Sequence, residues 1–405
     1  MPRIDSKRWG SGRPIEKPHL VASLKDDNRA AISERPRLVA IGLFALDIVF
    51  GVEDPSPRYY AGGTCGNVAA GLAHLGWDAS AIARLSDDVG GEHVRYDLNR
   101  WGVDTTLLGL APAAETPIVI ERISLSKNGM PRHRFLWSCP DCNSYFPAFK
   151  PLLLSQVEHL KGRVQSPQVF FSDRVSRAAI ELAKYFRKKG SLVFFEPSAA
   201  GGGKLFREML DVCDVLKYSA QRARSFSDLL RHHKAFLEIE TLGEDGLRFR
   251  TRGAFGSWHS VPAYEVKIKD TAGSGDWTSV GLISALFAKG RRNLDTITKR
   301  DISSSLEHGQ ALAALNCQFE GPRGAMYWMA KEKFLDAIAR LKSKKTEQWA
   351  PERLSLLDHQ STRAVCPNCT KRFDRRPHSQ LGRGGARGYS PDASIEKVFA
   401  HSAPG

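Results

Sequence analysis

The run Asp270-Thr271-Ala272-Gly273-Ser274-Gly275-Asp276 brackets small residues with two carboxylates, and a helix-like stretch with Val280, Ile283, Ser284 and Phe287 on one face follows it. Glycines at 273 and 275 let the chain turn tightly and bare its amides. A helix beginning there adds its positive dipole end, so the segment can seat an anion such as phosphate. A carboxylate at Asp276, inside that seat, is electrostatically unfavourable unless it has a task. The task that fits is accepting the proton of a hydroxyl that attacks a phosphoryl group. Taken alone, the run reads as a helix cap, where Asp, Ser and Gly are all common.

It is not alone. Tyr60-Ala61-Gly62-Gly63-Thr64-Cys65-Gly66-Asn67-Val68-Ala69-Ala70 is a second glycine-rich turn running into a small-residue helix. In order and spacing the two stretches resemble the signature motifs of the ribokinase-like (PfkB) carbohydrate kinase family, Gly-Gly-x-x-x-Asn-x-Ala and Asp-Thr-x-Gly-Ala-Gly-Asp. The resemblance spans about residues 37–341, and the chain has no Gly-x-x-x-x-Gly-Lys-Ser/Thr, which removes the other common phosphate loop. It implies ATP-dependent phosphoryl transfer to a hydroxyl of a sugar or nucleoside, with Mg²⁺ as cofactor. Carried over by position, it makes Asp276 the general base and the amides of Gly273, Ser274 and Gly275 an anion hole. Donors preorganised in this way are typically worth about 3 to 4 kcal/mol each. Ser274 stands where the family has Ala, and the amide carries the role.

For the acceptor, the resemblance points to Asp47, five residues after Gly42 at the end of the first strand, with Gly62, Gly63 and Asn67 lining the same pocket. For the nucleotide it points to the turn Thr241-Leu242-Gly243-Glu244-Asp245-Gly246, contributing Thr241, Gly243 and Gly246 beside the phosphates, and to Asn316 near adenine. One family element is missing. Where Asn-x-x-Glu organises magnesium and phosphate through water, this chain has Ser219 and Arg222, and the upstream Glu196 is the acid that could compensate. A catalytically weak nucleotide- or sugar-binding regulator on the same fold is therefore the rival reading.

The elements that must position these groups follow a regular alternation. Leu38–Leu43, Ala79–Ala83, Gln168–Phe171, Ser191–Phe195 and Ala235–Ile239 are short continuous apolar runs, as for strands buried on both faces. Amphipathic segments such as Arg177–Lys188 lie between most of them, which predicts an α/β fold: a doubly wound, mostly parallel sheet flanked by helices. Pro117–Ser124 and Arg132–Ser138, joined through Asn128-Gly129, predict an inserted hairpin, and a small β lid is expected from about residues 112–140.

With 405 residues, 42% hydrophobic and 25% charged, the chain can bury a large core. It has no apolar run long enough for a membrane span, and the polar, proline-broken start does not read as a secretory signal, so a cytoplasmic protein is expected. The net charge of +15 divides unevenly: residues 1–36 carry +3, residues 342–405 carry +6, and the 305 residues between carry +6. Residues 1–36 read as a flexible basic leader and 342–405 as a basic Gly/Arg-rich tail, so the body has an ordinary surface and a nucleic-acid partner is not expected. The small acceptor is the expected partner, and a homodimer is left open.

Seven cysteines are too few for a disulfide scaffold. Four of them form two Cys-Pro-x-Cys knuckles, Cys139/Cys142 after the hairpin and Cys366/Cys369 in the tail, which the family does not explain. If the tail folds back, the four thiolates supply a tetrahedral structural Zn²⁺ site; otherwise they are two unrelated surface turns.

Overall fold

The computed structural model describes residues 35–343, apart from short stretches at 53–55, 111, 130, 199–202, 226, 231–232 and 253–255, and residues 362–374. The expected leader and the Gly/Arg-rich segment at 382–388 lie outside these residues.

The described residues form thirteen strands: β1 (Arg37–Ile41), β2 (Ala45–Phe50), β3 (Arg58–Gly62), β4 (Asp78–Ala83), β5 (Asp104–Leu108), β6 (Ile118–Leu125), β7 (Pro131–Leu136), β8 (Val169–Ser172), β9 (Leu192–Phe195), β10 (Val215–Ser219), β11 (Leu237–Thr241), β12 (Leu247–Thr251) and β13 (His259–Val261). Nine make one sheet in the order β13-β12-β11-β10-β9-β8-β1-β4-β5, parallel except at the β12 and β13 edge. The runs VFFS of β8 and LVFF of β9 are wholly buried, as expected of strands covered by helices on both faces. β12 instead alternates, with Leu247, Phe249 and Thr251 inward, while Arg248 and Arg250 stack over Trp258 at 4.5 and 4.6 Å.

The helices are α1 (Thr64–His74), α2 (Val89–Arg100), α3 (Val157–Arg163), α4 (Arg177–Lys188), α5 (Gly203–Val212), α6 (Ala220–Ala223), α7 (Ser227–Leu230), α8 (Ser274–Leu286), α9 (Lys299–Asn316), α10 (Gly324–Trp328), α11 (Lys331–Lys342), α12 (Thr362–Val365) and α13 (Pro367–Asp374). α4 coincides with the amphipathic segment read from sequence; Ser176 caps it by accepting from the amide of Ala179. Strand order reverses between β1 and β8, the place where open α/β sheets hold ligands beyond their C-terminal ends.

The second sheet, β3-β2-β6-β7, corrects the expected lid. The hairpin β6–β7 is present, but β2 and β3 supply half of the sheet, with β2 parallel to β6. β3 (RYYAG) is buried throughout, Arg58 included, so no alternation marked it as a lid strand. The body also does not stop at Leu341. Val365, Cys366 and Cys369 join the main core cluster, and α12 packs on α2.

α8 lies between α1 and α9 and is buried on most sides. α8 and α9 meet glycine to glycine: a Cβ on Gly281 would stand 2.3 Å from the Cα of Gly309. Gly281→Ala should therefore push α8 away from α9 and cost about 1 to 3 kcal/mol in denaturant unfolding. Gly162→Ala in α3, where a Cβ meets nothing within 4 Å, should instead be neutral or stabilising. Equal effects at the two positions would mean that the α8–α9 contact is looser than described.

Candidate active site

Asp276 stands in the first turn of α8, and the helix begins at Gly273 with no side-chain cap. No side chain competes for the first-turn amides, although that of Ser274 meets the carbonyl of Thr271 at 3.3 Å. Gly273 is left-handed (φ 73°), and a Cβ there would lie 2.2 Å from the carbonyl of Pro322, so only glycine brings this turn so close to the loop after α9. The turn is tied from behind. Asp270 accepts from the amides of Ala272 (3.0 Å) and Gly321 (2.8 Å).

The Asn67 side chain, buried in α1, donates through Nδ2 to Asp276 Oδ2 at 2.7 Å and accepts through Oδ1 from Arg323 Nε at 3.1 Å. Arg323, 1% exposed, also donates to Asp97 Oδ2 (2.8 Å) and to the carbonyl of Ala61 in β3. Asp97 accepts further from Tyr327 Oη and from the Ala61 amide at 2.8 Å. A continuous buried chain therefore runs from Asp276 through Asn67 and Arg323 to Asp97, joining α8, α1, the loop after α9, α2 and the lid.

Asp47, five residues after Gly42 at the end of β1, lies within β2, the first strand of the lid. Period two and the strand registers put Asp47, Tyr60, Gly62, Glu121, His133 and Phe135 on one face of the lid. Gly62 backs directly onto the Asp47 carboxylate, which also receives the amide of Gly63. Burial raises the Asp47 pKa to about 7, with Asp276 adding to the rise and Arg323 opposing it. Glu121, the one carboxylate of β6, is held well above the usual carboxylate range by burial and by Asp270 and Asp47. His133 meets Asp270 at 3.5 Å and Thr271 Oγ1 at 3.2 Å, so the lid touches the glycine turn before α8.

Asp276 is likewise raised to about 7, first by burial and then by Glu196; Asn67, Lys217 and Arg222 pull it down. Glu196 ends β9 and pairs with buried Lys217 of β10 and with Ser279 Oγ. Ser219 caps α6 by accepting from the Arg222 amide at 3.2 Å. The β10–β11 register sets Ser219 opposite Thr241, which brings the exposed turn at Gly243 to the same C-terminal sheet edge. Gly246 is instead buried against Val261.

Asn316, expected beside adenine, has its side chain engaged within the protein. It is fully buried, its Nδ2 lies 3.2–3.4 Å from the carbonyls of Ala272, Gly321 and Pro322, and its Oδ1 accepts from Ala325. Its amide is engaged in pinning the glycine turn before α8 to the loop after α9. Magnesium also finds no ready cage. Both Glu196 oxygens are engaged, and the groups spaced to hold a metal among the described residues, Glu121/His133/Asp270 and the four knuckle cysteines, include neither Glu196 nor Asp276.

Sequence reasoning thus assembled Asp276, Gly273–Gly275, Asn67, Gly62, Gly63 and Asp47 into one site but missed Glu121, His133, Asp97 and Arg323. Glu121 had a signal, a lone carboxylate in the run IVIERISL. Two raised carboxylates also make a stability statement. Each is ordinarily near 3.8 and shifted to about 7, so ionising them disfavours the folded state fully above pH 7 and not at all below about pH 4. Asp47→Asn and Asp276→Asn should each raise the Tm by about 2 °C or more at pH 8, and the gain should fade toward pH 4. A gain independent of pH would refute buried charge as its cause.

Residues 35–328 match the sequence profile described as "pfkB family carbohydrate kinase". The chain is 26% identical over 285 residues to an ATP-dependent ribose-1-phosphate kinase of Halopiger xanaduensis, covering 67% of this chain and 84% of that one. It is 27% identical over 249 residues to a fructokinase of Klebsiella pneumoniae, covering 56% and 78%. Among solved structures it resembles the ATP-bound fructokinase of Xylella fastidiosa (TM-score 0.59, 20% identity, 75% of this chain and 99% of that one). It also resembles an aminoimidazole riboside kinase of Salmonella enterica (TM-score 0.56, 18% identity, 74% and 99%). A family profile spanning most of the chain, on a ribokinase-like sheet with the glycine turn and carboxylate in place, makes this protein a member of the pfkB family of carbohydrate kinases.

Proposed function

We propose that the protein transfers the terminal phosphoryl group of ATP to a hydroxyl of a sugar, sugar phosphate or nucleoside, with Asp276 as the general base. The observation that carries this reading is a buried carboxylate, raised to about 7, in the uncapped first turn of a helix. A base of that strength is ionised at working pH yet holds a proton well enough to take one from an alcohol. Asn67 occupies Oδ2 and leaves Oδ1 for the acceptor hydroxyl. The proton passes to Asp276, the acceptor oxygen bonds to phosphorus, and the bond to the bridging oxygen of ADP breaks. The amides of Gly273, Ser274 and Gly275 face the charge that gathers on the transferring group.

Asp47 and the lid face around it suit a polyhydroxylated acceptor, because buried carboxylates reward hydroxyl donors and penalise ligands that lack them. Thr241 and Gly243, beside Ser219 and Arg222, line the sheet edge where the rest of the nucleotide would lie. Arg222 places positive charge where the family commonly has an acid, which favours direct pairing with phosphate. The relatives' names, a ribose-1-phosphate kinase and fructokinases, support the same acceptor class.

The test is a pH profile of kcat/KM with a panel of sugars and nucleosides. The wild type should lose activity as pH falls below about 7, and Asp276→Asn should lower kcat by roughly 10²- to 10⁴-fold while ATP affinity stays within a few-fold. Arg222→Ala removes a charge that lowers the Asp276 pKa, so its acid limb should move to higher pH. Turnover retained in Asp276→Asn would exclude the base. ATP binding by the wild type with no turnover on any acceptor would favour the regulatory reading.

A further inference from the structure

The two cysteine knuckles play no part in the chemistry above, yet the fold brings them together across more than two hundred residues of chain. Cys139 Sγ lies 3.8 Å from Cys369 Sγ, Cys142 Sγ lies 3.7 Å from Cys366 Sγ, and all four sulfurs fall within 4.8 Å of one another. Cys139, Cys366 and Cys369 are buried and Cys142 is half-buried. Four sulfurs at 2.3 Å from one centre, arranged as a tetrahedron, stand about 3.8 Å apart, the spacing of a mononuclear tetrathiolate zinc site.

Each knuckle is shaped for ligation. The first is a tight turn: Asn143 donates to the carbonyl of Cys139 (2.8 Å), Cys139 donates to that of Ser144 (2.9 Å), and Asn143 takes a left-handed φ of 57°. In the second, Cys366 follows α12, Pro367 opens α13, and the amide of Thr370 returns to Cys366 (3.1 Å), so Cys369 turns back toward Cys366. Both knuckles therefore present their thiols to the same point, and the closed set of four leaves no open position for chemistry.

We propose that Cys139, Cys142, Cys366 and Cys369 bind one zinc ion that staples residues 362–374 to the exit of lid strand β7. The staple fixes the point where the lid chain re-enters the body and holds α12 on α2, the helix that carries Asp97. This role is structural and stands whether or not the phosphoryl-transfer reading holds.

The test is metal analysis of the purified full chain, followed by hydrogen–deuterium exchange. The wild type should carry about one zinc per chain. Cys366→Ser/Cys369→Ser should lose it, and Cys317→Ser, whose thiol is outside the cluster, should retain it. Treating the wild type with a strong chelator should accelerate exchange in 362–374 and in 137–146 by roughly tenfold or more, which removes dependence on how well the variants fold. Cobalt added back should give the visible bands of a tetrahedral tetrathiolate. Metal-free wild type whose exchange ignores the chelator would overturn the proposal, as would iron in place of zinc.

Discussion

The hydrogen bond from Asn67 to Asp276 is the contact on which the site depends. Asp276 is buried next to Glu196, and without Asn67 its charge would rest on Lys217 and Arg222 with no hydrogen-bond donor of its own. Asn67 supplies that donor without supplying a charge, so it lowers the cost of ionisation while leaving the carboxylate basic. The amide in turn is oriented by Arg323, and Arg323 is neutralised by Asp97 from α2. A pair buried this deeply is weak ground for stability, but losing either partner would leave a charge unpaired. Its use is directional, since it leaves Asn67 one way to face.

The same chain ties the lid to the first turn of α8. Ala61 in β3 receives Arg323 on its carbonyl and gives its amide to Asp97, and two residues later Gly63 begins the turn into α1. Asp47 sits opposite Tyr60 on the neighbouring strand, so Asp47 and Asp276 are positioned by elements that one buried network joins. His133 adds a contact from the far edge of the lid to Asp270 and Thr271. The carboxylates of Asp47, Glu121, Asp270 and Asp276 thus gather on one side of the lid, the feature on which the proposed polyol acceptor rests.

Much of this was legible in the sequence, for reasons that can be named. The parallel core strands are continuous apolar runs, and the two glycine turns are rare enough in combination to point to the family and to single out Asp276, its glycine turn and Asn67. Elements whose pattern arises from tertiary context were not legible. β2 and β3 carry buried residues on both faces, so they do not alternate, and half of the lid was missed. Asp97 looks like an ordinary polar helix residue until Arg323, 226 residues later, is folded against it. Asn316 was assigned to the nucleotide from position alone, while its neighbours in space, Ala272 and Gly321, give it a different partner set. The cysteine knuckles were readable as ligands, but only the fold shows that they meet.

The most direct measurement is a crystal structure of the full chain with ADP, an acceptor sugar and a planar metal-fluoride mimic of the transferring phosphoryl group. The account predicts the fluorides on the amides of Gly273, Ser274 and Gly275, with the acceptor oxygen about 2.6 to 3.2 Å from Asp276 Oδ1 while Asn67 stays on Oδ2. An acceptor oxygen held by another base, or a mimic seated away from the first turn of α8, would contradict it.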